Sequence, residues 1–503
     1  MLESNTAAPR LTRERWIVAF LLTLVVIGRS AVFVFWPQSH FDSDQAVTGL
    51  MAKHLAELRA FPVFWYGQSY MLGVEAWLAA PVFLALGATV TALKLPLLAI
   101  NIAIVLLLAR LFERDVGLRP VLAGFAALFF ALTPPITTAL LLTANGGNVE
   151  PGLYVLLLWC LRDKPVPAGL VLGIGFLNRE FTIYGLLALV VIDVIRRSLF
   201  TRSLLQRYAI VLATVAGVWL LAQVARHYSS AAGPGTSIAD LYSLSASNNI
   251  VEVLGRACVN AATFTTGLRK LFGEHYPHLF GTLRTPLVDV GVESSVVQGN
   301  PIVTPVLGLA ALFMVVRIAS RLIAERRWRE EYNACAYLVL VGLFSTAGYV
   351  IGRCGEVDFY TMRYELLSVI GLCGVAAWYL SIERSISVRT IWMALAAIVL
   401  TTSAVPHVRL LAEYFRTPPT AAKQILIEQL DARGIHYGYS DFWVAYYVTF
   451  MTQERIQIAA DDAVRIRTYN RIVDAHRSEA VRITRRSCPG GDQITPAFWL
   501  CKP

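Results

Sequence analysis

Apolar residues in this chain come in long unbroken runs, not at every third or fourth position. A helix rises 1.5 Å per residue, so about 20 apolar residues cross the roughly 30 Å hydrocarbon core of a bilayer. The pattern predicts eleven crossings, at residues 16–36, 92–111, 121–132, 151–161, 168–177, 181–195, 208–225, 301–316, 334–351, 366–380 and 391–405. Some of these runs are short, and their ends must extend into neighbouring loops. The first follows Arg10, Arg13 and Arg15, is too long for a signal-peptide core and has no small-residue cleavage site after it, so it reads as a retained span. Residues 73–87 (GVEAWLAAPVFLALG) are apolar but short, and contain Glu75 and Pro81, which suits a helix lying on the membrane surface.

After residue 405 the pattern changes. Residues 406–503 are more polar and alternate helix-like stretches (421–433, 467–476) with strand-like ones (436–439, 455–459, 480–484). The predicted organisation is an all-α polytopic membrane module over 1–405, with outer-face juxtamembrane helices and large outer loops at 37–91 and 226–300. A small extracytoplasmic α/β domain follows over 406–503.

Lys/Arg counts in short loops set the orientation. With the N-terminus inside, the inner segments hold nineteen basic residues and the short outer ones six: Lys53, Arg59, Lys94, Arg179, Arg353 and Arg363. If residues 73–87 crossed, every later loop would invert. The N-terminus is therefore expected in the cytoplasm and the C-terminus outside it.

Composition sharpens this picture. Of 503 residues 56% are hydrophobic and 16% charged, where soluble proteins carry about 25% charged residues. That excludes a soluble enzyme, a secreted disulfide scaffold and a disordered chain. The net charge of +10 serves topology, so a nucleic-acid partner loses its main support. The seven cysteines show no metal-ligand spacing. Cys488 and Cys501 flank a Pro-Gly-Gly-Asp turn on the outer side and form either a disulfide or two unpaired thiols.

Ionisable residues at membrane depth are rare and usually functional. Four clusters fall on the outer side. In His40-Phe41-Asp42-Ser43-Asp44-Gln45-Ala46 an Asp either caps the following helix, the commoner role, or acts as a general base. The run from Tyr66 through Gln68 and Tyr70 to Glu75 leads into the surface helix. Asn178-Arg179-Glu180 interrupts an apolar stretch, as a simple turn or as an arginine suited to phosphate. The same two readings apply to Arg363, Tyr364 and Glu365 in the run that starts at Asp358. Arg29 lies in the outer part of the first span and is expected to snorkel to the interface. No P-loop or dinucleotide fingerprint is present, so an activated substrate would arrive as a lipid phosphate.

The stretches FDSDQAVTGLMAKHLAE and FWYGQSYMLGVEAWLAAPVFLALG behind one basic-flanked span resemble the opening of GT-C membrane glycosyltransferases. The similarity is to the bacterial branch related to protein O-mannosyltransferases and aminoarabinose transferases. RYELLSVIGL resembles that branch's Arg-Tyr-x-Leu motif, and GYSDFWVAYYVTFMTQERIQIA is similar to tails of bacterial members.

This resemblance implies an enzyme of the bacterial inner membrane that moves a sugar from a polyprenyl-phosphate donor to a glycan, lipid or protein acceptor on the outer face, with inversion. It implies Asp44 as general base, with Asp42 second, and polar substrate-binding positions at Tyr70 and Glu75. Gln45 stands where many members carry Glu. The lysine some members use for the lipid phosphate has no equivalent in that region, which leaves Arg179 or Arg363 to neutralise it. No cofactor is required, and a divalent metal is compatible but not demanded. A flippase of lipid-linked sugars and a non-catalytic scaffold are the rivals. The flippase would be expected to show inverted repeats, and the scaffold would tolerate loss of Asp44.

Overall fold

The computed structural model describes residues 4–68, 70–235, 261–290, 294–301, 303–325, 328–352 and 359–502. Ser69, residues 236–260 of the second outer loop, Arg326, Arg327, Arg353 and Asp358 lie outside the described residues. The membrane module is built from α1 (Ser4–Phe35), α2 (Ser43–Ala56), α3 (Val74–Leu86), α4 (Val90–Arg114), α5 (Pro120–Ala131), α6 (Pro135–Leu141), α7 (Glu150–Leu161), α8 (Pro165–Asn178), α9 (Ile183–Ile195) and α10 (Arg202–Arg226). It continues through α11 (Ala261–Lys270), α12 (Tyr276–Leu279), α13 (Val303–Glu325), α14 (Asn333–Gly352), α15 (Leu367–Ile382) and α16 (Ile386–Arg416).

Among the described residues, seven helices are long and apolar enough to cross a bilayer, or eight if α5 and α6, bent by 85°, count as one span. The sequence predicts eleven crossings, some of them short. The difference lies in α7, α8 and α9, of 12, 14 and 13 residues, or about 18–21 Å at 1.5 Å per residue. Prolines at the starts of α7 and α8 fix where those helices begin, and the Arg179 break separates α8 from α9.

Ion pairs tie together the helix ends expected on the inner side: Arg15–Glu113 (2.6 Å), Arg207–Asp163 (2.9 Å), Arg196–Glu330 (3.1 Å) and Arg317–Glu383 (2.7 Å). At the other end, Lys94 sits in α4 and not in a loop. Its buried ammonium donates to the carbonyls of Phe33 (3.0 Å), Ser39 (3.3 Å) and His40 (2.9 Å). Because α4 starts where α1 ends, residues 37–89 return to the face they left. Helix α3 lies within that returning segment.

Arg29 does not snorkel. It is buried and donates to Thr133 Oγ1 (2.6 Å), Asn101 Oδ1 (2.7 Å) and the Phe130 carbonyl. Four residues after Phe130 comes Pro134, which has no N–H to give that carbonyl. Arg29 satisfies the acceptor freed by the α5–α6 break, and His407 covers the Thr133 carbonyl at 2.9 Å.

The helix containing residues 391–405 runs on to Arg416 and leads into the C-terminal domain. There α17 (Ala422–Ala432), β3 (Tyr437–Ser440), α18 (Phe442–Met451), β4 (Gln457–Ala460), α19 (Arg467–Ala475) and β5 (Val481–Thr484) precede the hairpin β6 (Asp492–Thr495) and β7 (Phe498–Cys501). A two-stranded pair, β1 (Thr285–Pro286) and β2 (Val297–Gln298), lies between α12 and α13. The five-stranded sheet has the order β4-β3-β5-β7-β6, with β4, β3 and β5 parallel and the hairpin antiparallel. Cys488 and Cys501 are disulfide-bonded, with Cα atoms 6.1 Å apart, closing the loop that carries β6.

The C-terminal domain docks on the surface helices. Phe450 of α18 covers Gly49 of α2, where a Cβ would lie 2.4 Å from the ring, and Phe41 packs 5.5 Å from Phe450 and 5.7 Å from Tyr447. Beside them Glu454 gathers Lys53, Arg59, His54 (3.2 Å) and Tyr469 (2.9 Å).

Candidate active site

The two aspartates after α1 are held differently. Asp42 has extended backbone and its carboxylate accepts from the Gln45 N–H at 3.0 Å, so it is the N-cap of α2. Asp44 lies in the first helical turn, and its side chain faces a cavity. Gln45, next in the chain, is buried, donating to the His40 carbonyl (3.0 Å) and accepting from the Ala144 N–H (3.3 Å). An amide can do both, which a carboxylate cannot.

The cavity has a volume of about 300 Å³ and is lined by Asp44, Trp65, Gln68, Tyr70, Met71, Asn145, Arg179, Glu180, Arg363, Tyr364 and Arg465. Seven of these residues, from four separate stretches of chain, were singled out in the sequence. Phe64 and Leu72 pair as an antiparallel bridge, which folds residues 64–72 into a hairpin and brings Trp65, Gln68, Tyr70 and Met71 to one wall. The Leu72 N–H donates to the Leu177 carbonyl at 3.0 Å, tying that hairpin to the end of α8 beside Arg179.

Electrostatics in the cavity are lopsided. Three guanidinium groups face two carboxyl groups, those of Asp44 and Glu180. Arg179 and Arg363 both lie over the Tyr364 ring, at 5.8 and 5.3 Å from its centroid. Arg179 also donates to Met71 Sδ at 3.4 Å, and Arg363 to Tyr364 Oη at 3.4 Å. Neither has a carboxylate within ion-pair distance among the described residues, and the Nε–H of each is buried without an acceptor. Burial and the neighbouring Asp42 charge push the Asp44 carboxyl up to about 6, against the pull of Arg363, Arg465 and Arg179. Such a group is mostly ionised at neutral pH yet basic enough to take a proton.

Glu75 and Asn178 do not line the cavity. Glu75 is buried behind it and accepts from the N–H groups of Gly146 (2.7 Å) and Gly147 (3.0 Å). It holds the turn that presents Asn145, in which both glycines have positive φ. Asn178 accepts from Tyr154 Oη (3.3 Å) and donates to the Leu72 carbonyl (3.5 Å). Met71 lies within the run singled out from the sequence but was given no role there, and Trp65, Asn145 and Arg465 were not among the candidate site residues. The polar Asn145-Gly146-Gly147-Asn148 break before α7 was the available signal for Asn145. Arg465 lies in a tail already rich in charge, where one more arginine does not stand out.

Among the described residues no cluster of three or more His, Cys, Asp or Glu is placed to hold a metal ion. A larger cavity of about 450 Å³ opens at the opposite end of the bundle. Its charges are internally matched, as in Arg114–Asp115 (2.7 Å) and Arg207–Asp163 (2.9 Å). The smaller cavity, whose arginines have no carboxylate partner among the described residues, is the better candidate for chemistry.

A bundle whose first span leads into surface helices, with a mixed-sheet domain docked on that same end, is the architecture of the GT-C membrane glycosyltransferases, and the chain has that fold. It is similar to ArnT from Cupriavidus metallidurans bound to undecaprenyl phosphate, with a TM-score of 0.54 and 11% identity over 99% of this chain and 98% of that one. The apo oligosaccharyltransferase of Archaeoglobus fulgidus matches with a TM-score of 0.52 and 11% identity, over 94% of this chain and 69% of that one. The Archaeoglobus fulgidus oligosaccharyltransferase AglB, in complex with an inhibitory peptide and a dolichol-phosphate, matches at 0.51 and 11%, over 93% and 69%. No family sequence model matches the chain, and no curated protein sequence does.

Proposed function

We propose that this protein is a membrane glycosyltransferase that takes a sugar from a polyprenyl-phosphate donor and passes it to an acceptor hydroxyl or amine at the outer face. The observation that carries the reading is the Asp44 carboxyl group across a small cavity from arginines that have no carboxylate partner among the described residues. Undecaprenyl phosphate in the ArnT structure and dolichol-phosphate in the AglB structure support a polyprenyl phosphate as the ligand here.

In the proposed reaction Asp44 accepts the acceptor's proton as its oxygen or nitrogen bonds to the anomeric carbon. The bond from that carbon to the phosphate oxygen breaks, and its electron pair leaves with the lipid phosphate, with inversion at the sugar. Arg179 and Arg363 stabilise the charge that develops on the leaving group. The lipid phosphate is already a good leaving group, so the reaction needs no redox or nucleotide cofactor, and a divalent metal is compatible with it. Asp42 caps α2 and orients Asp44, while Gln68, Tyr70 and Glu180 line the side where sugar and acceptor meet.

The same reading places the protein in a bacterial inner membrane, with its N-terminus in the cytoplasm. It completes eleven crossings by letting the short helices α7, α8 and α9 run between the two faces. The Cys488–Cys501 bond suits an oxidising outer compartment.

The test is to incubate purified protein with polyprenyl-phosphate sugars and cell-envelope acceptors and follow released lipid phosphate. Release that depends on added acceptor supports a transferase. Sugar-lipid that crosses a vesicle bilayer without release would make the protein a flippase instead.

A further inference from the structure

One wall of the cavity comes from outside the membrane module. Arg465 lies between β4 and α19 of the C-terminal domain, 421 positions after Asp44. Its backbone N–H donates to Tyr446 Oη at 2.6 Å, and the Ile466 N–H donates to the same oxygen at 3.0 Å. From that fixed backbone the side chain reaches over the Trp65 ring, 5.2 Å from its centroid, and donates from Nη1 to the Gly67 carbonyl at 3.3 Å. Gly67 has φ of +74°, and a Cβ there would lie 2.8 Å from Arg465 Cδ, so the glycine leaves room for this arginine.

Like Arg179 and Arg363, Arg465 has no carboxylate within ion-pair distance among the described residues, and its Nε–H is buried without an acceptor. Three guanidinium groups line one cavity, none of them paired with a carboxylate among the described residues, and together they suit an anion with several oxygens. A phosphate meets that need and a single carboxylate does not, because its oxygens can accept from three arginines at once.

We infer that Arg465 is the third arm of a phosphate cradle, so that the C-terminal domain binds the donor's phosphate together with Arg179 and Arg363. The inference rests on the donor reading above. Glu454 is then a positioning residue. By gathering Lys53, His54 and Arg59, with Tyr469 beside them, it clamps the domain to α2 and the turn after it, and so fixes where Arg465 ends up.

The test uses purified full-length protein with undecaprenyl phosphate as the probe and inorganic phosphate as a second arm. R465Q should weaken undecaprenyl phosphate binding by about tenfold or more, as expected for loss of a charge-assisted contact. R465K should recover part of that loss. R482Q, an exposed sheet arginine paired with Asp461 at 2.6 Å, should bind like wild type. E454Q should weaken binding in the wild-type background but add little in R465Q, since the two act through one contact. A merely structural Glu454 would give additive losses.

Wild-type affinity in R465Q alongside weakened R179Q would overturn the inference and leave the donor reading standing. Failure of wild type to bind undecaprenyl phosphate would sink both. Arg465-dependent binding of inorganic phosphate without the lipid would also overturn the inference.

Discussion

Asp42 and Asp44 stand two positions apart and take different work because a helix begins between them. The residue before the helix turns its carboxylate back to the Gln45 N–H. The residue inside the first turn points away from the helix, into the cavity. Asp44→Asn keeps the size and removes the base, so transfer should fall by roughly 10²–10⁴-fold. Asp42→Asn keeps a competent cap and should be milder, while Asp42→Ala should cost about 1 kcal/mol of stability. The Asp44 carboxyl is raised from 3.8 to about 6 in the folded protein. The stability tied to its neutral form is full below about pH 4 and lost as pH rises through about 6. Asp44→Asn should therefore melt no lower than wild type at pH 7, and wild-type turnover should rise with pH through about 6. A variant that loses activity together with melting temperature would point to a structural role. The sequence exposed Asp44, Arg179 and Arg363 because they interrupt or end apolar runs. It hid Arg465 and Trp65, which have no such contrast with their neighbours.

Elements were legible wherever one local signal decided them. The helix-like and strand-like stretches of the tail fall within a few residues of α17, β3, β4, α19 and β5, because alternation and turn residues set them locally. The hairpin β6–β7 and the buried helix α18 were not seen, since an apolar run of ten residues fits helix or strand alike. Arg29 was misread because nothing local says that a carbonyl 101 positions away needs a donor. Arg29→Met should leave the Phe130 carbonyl and Asn101 unanswered in a buried site, costing about 1–3 kcal/mol for each group. Arg29→Lys should be milder, and thermal unfolding in detergent measures both. Replacing Cys488 or Cys501 by Ser removes a cross-link over 13 positions, worth roughly 3 kcal/mol on the chain-entropy model. Melting with and without reductant should show the difference in wild type and none in the variant.

At the scale of the whole molecule, two polar ends of one bundle have opposite characters. At one end arginines and carboxylates pair off. At the other α2, the hairpin and the sheet domain enclose arginines without carboxylate partners among the described residues. Loop charge gave only an expected orientation and the polar clusters gathered on one side of it; which charges pair off could not be read from the sequence. Span count was less legible, since prolines and polar breaks make three helices too short to register as crossings. Reporter fusions after Arg114 should read as cytoplasmic and after Arg416 as external, and the reverse pair would invert the topology. The account stands most directly on one comparison, the turnover of a polyprenyl-phosphate sugar by purified wild-type protein and by Asp44→Asn at pH 7, with equal protein and equal melting temperature. It predicts lipid phosphate released by wild type and a loss of at least about 100-fold in the variant. Equal rates from the two proteins would contradict it.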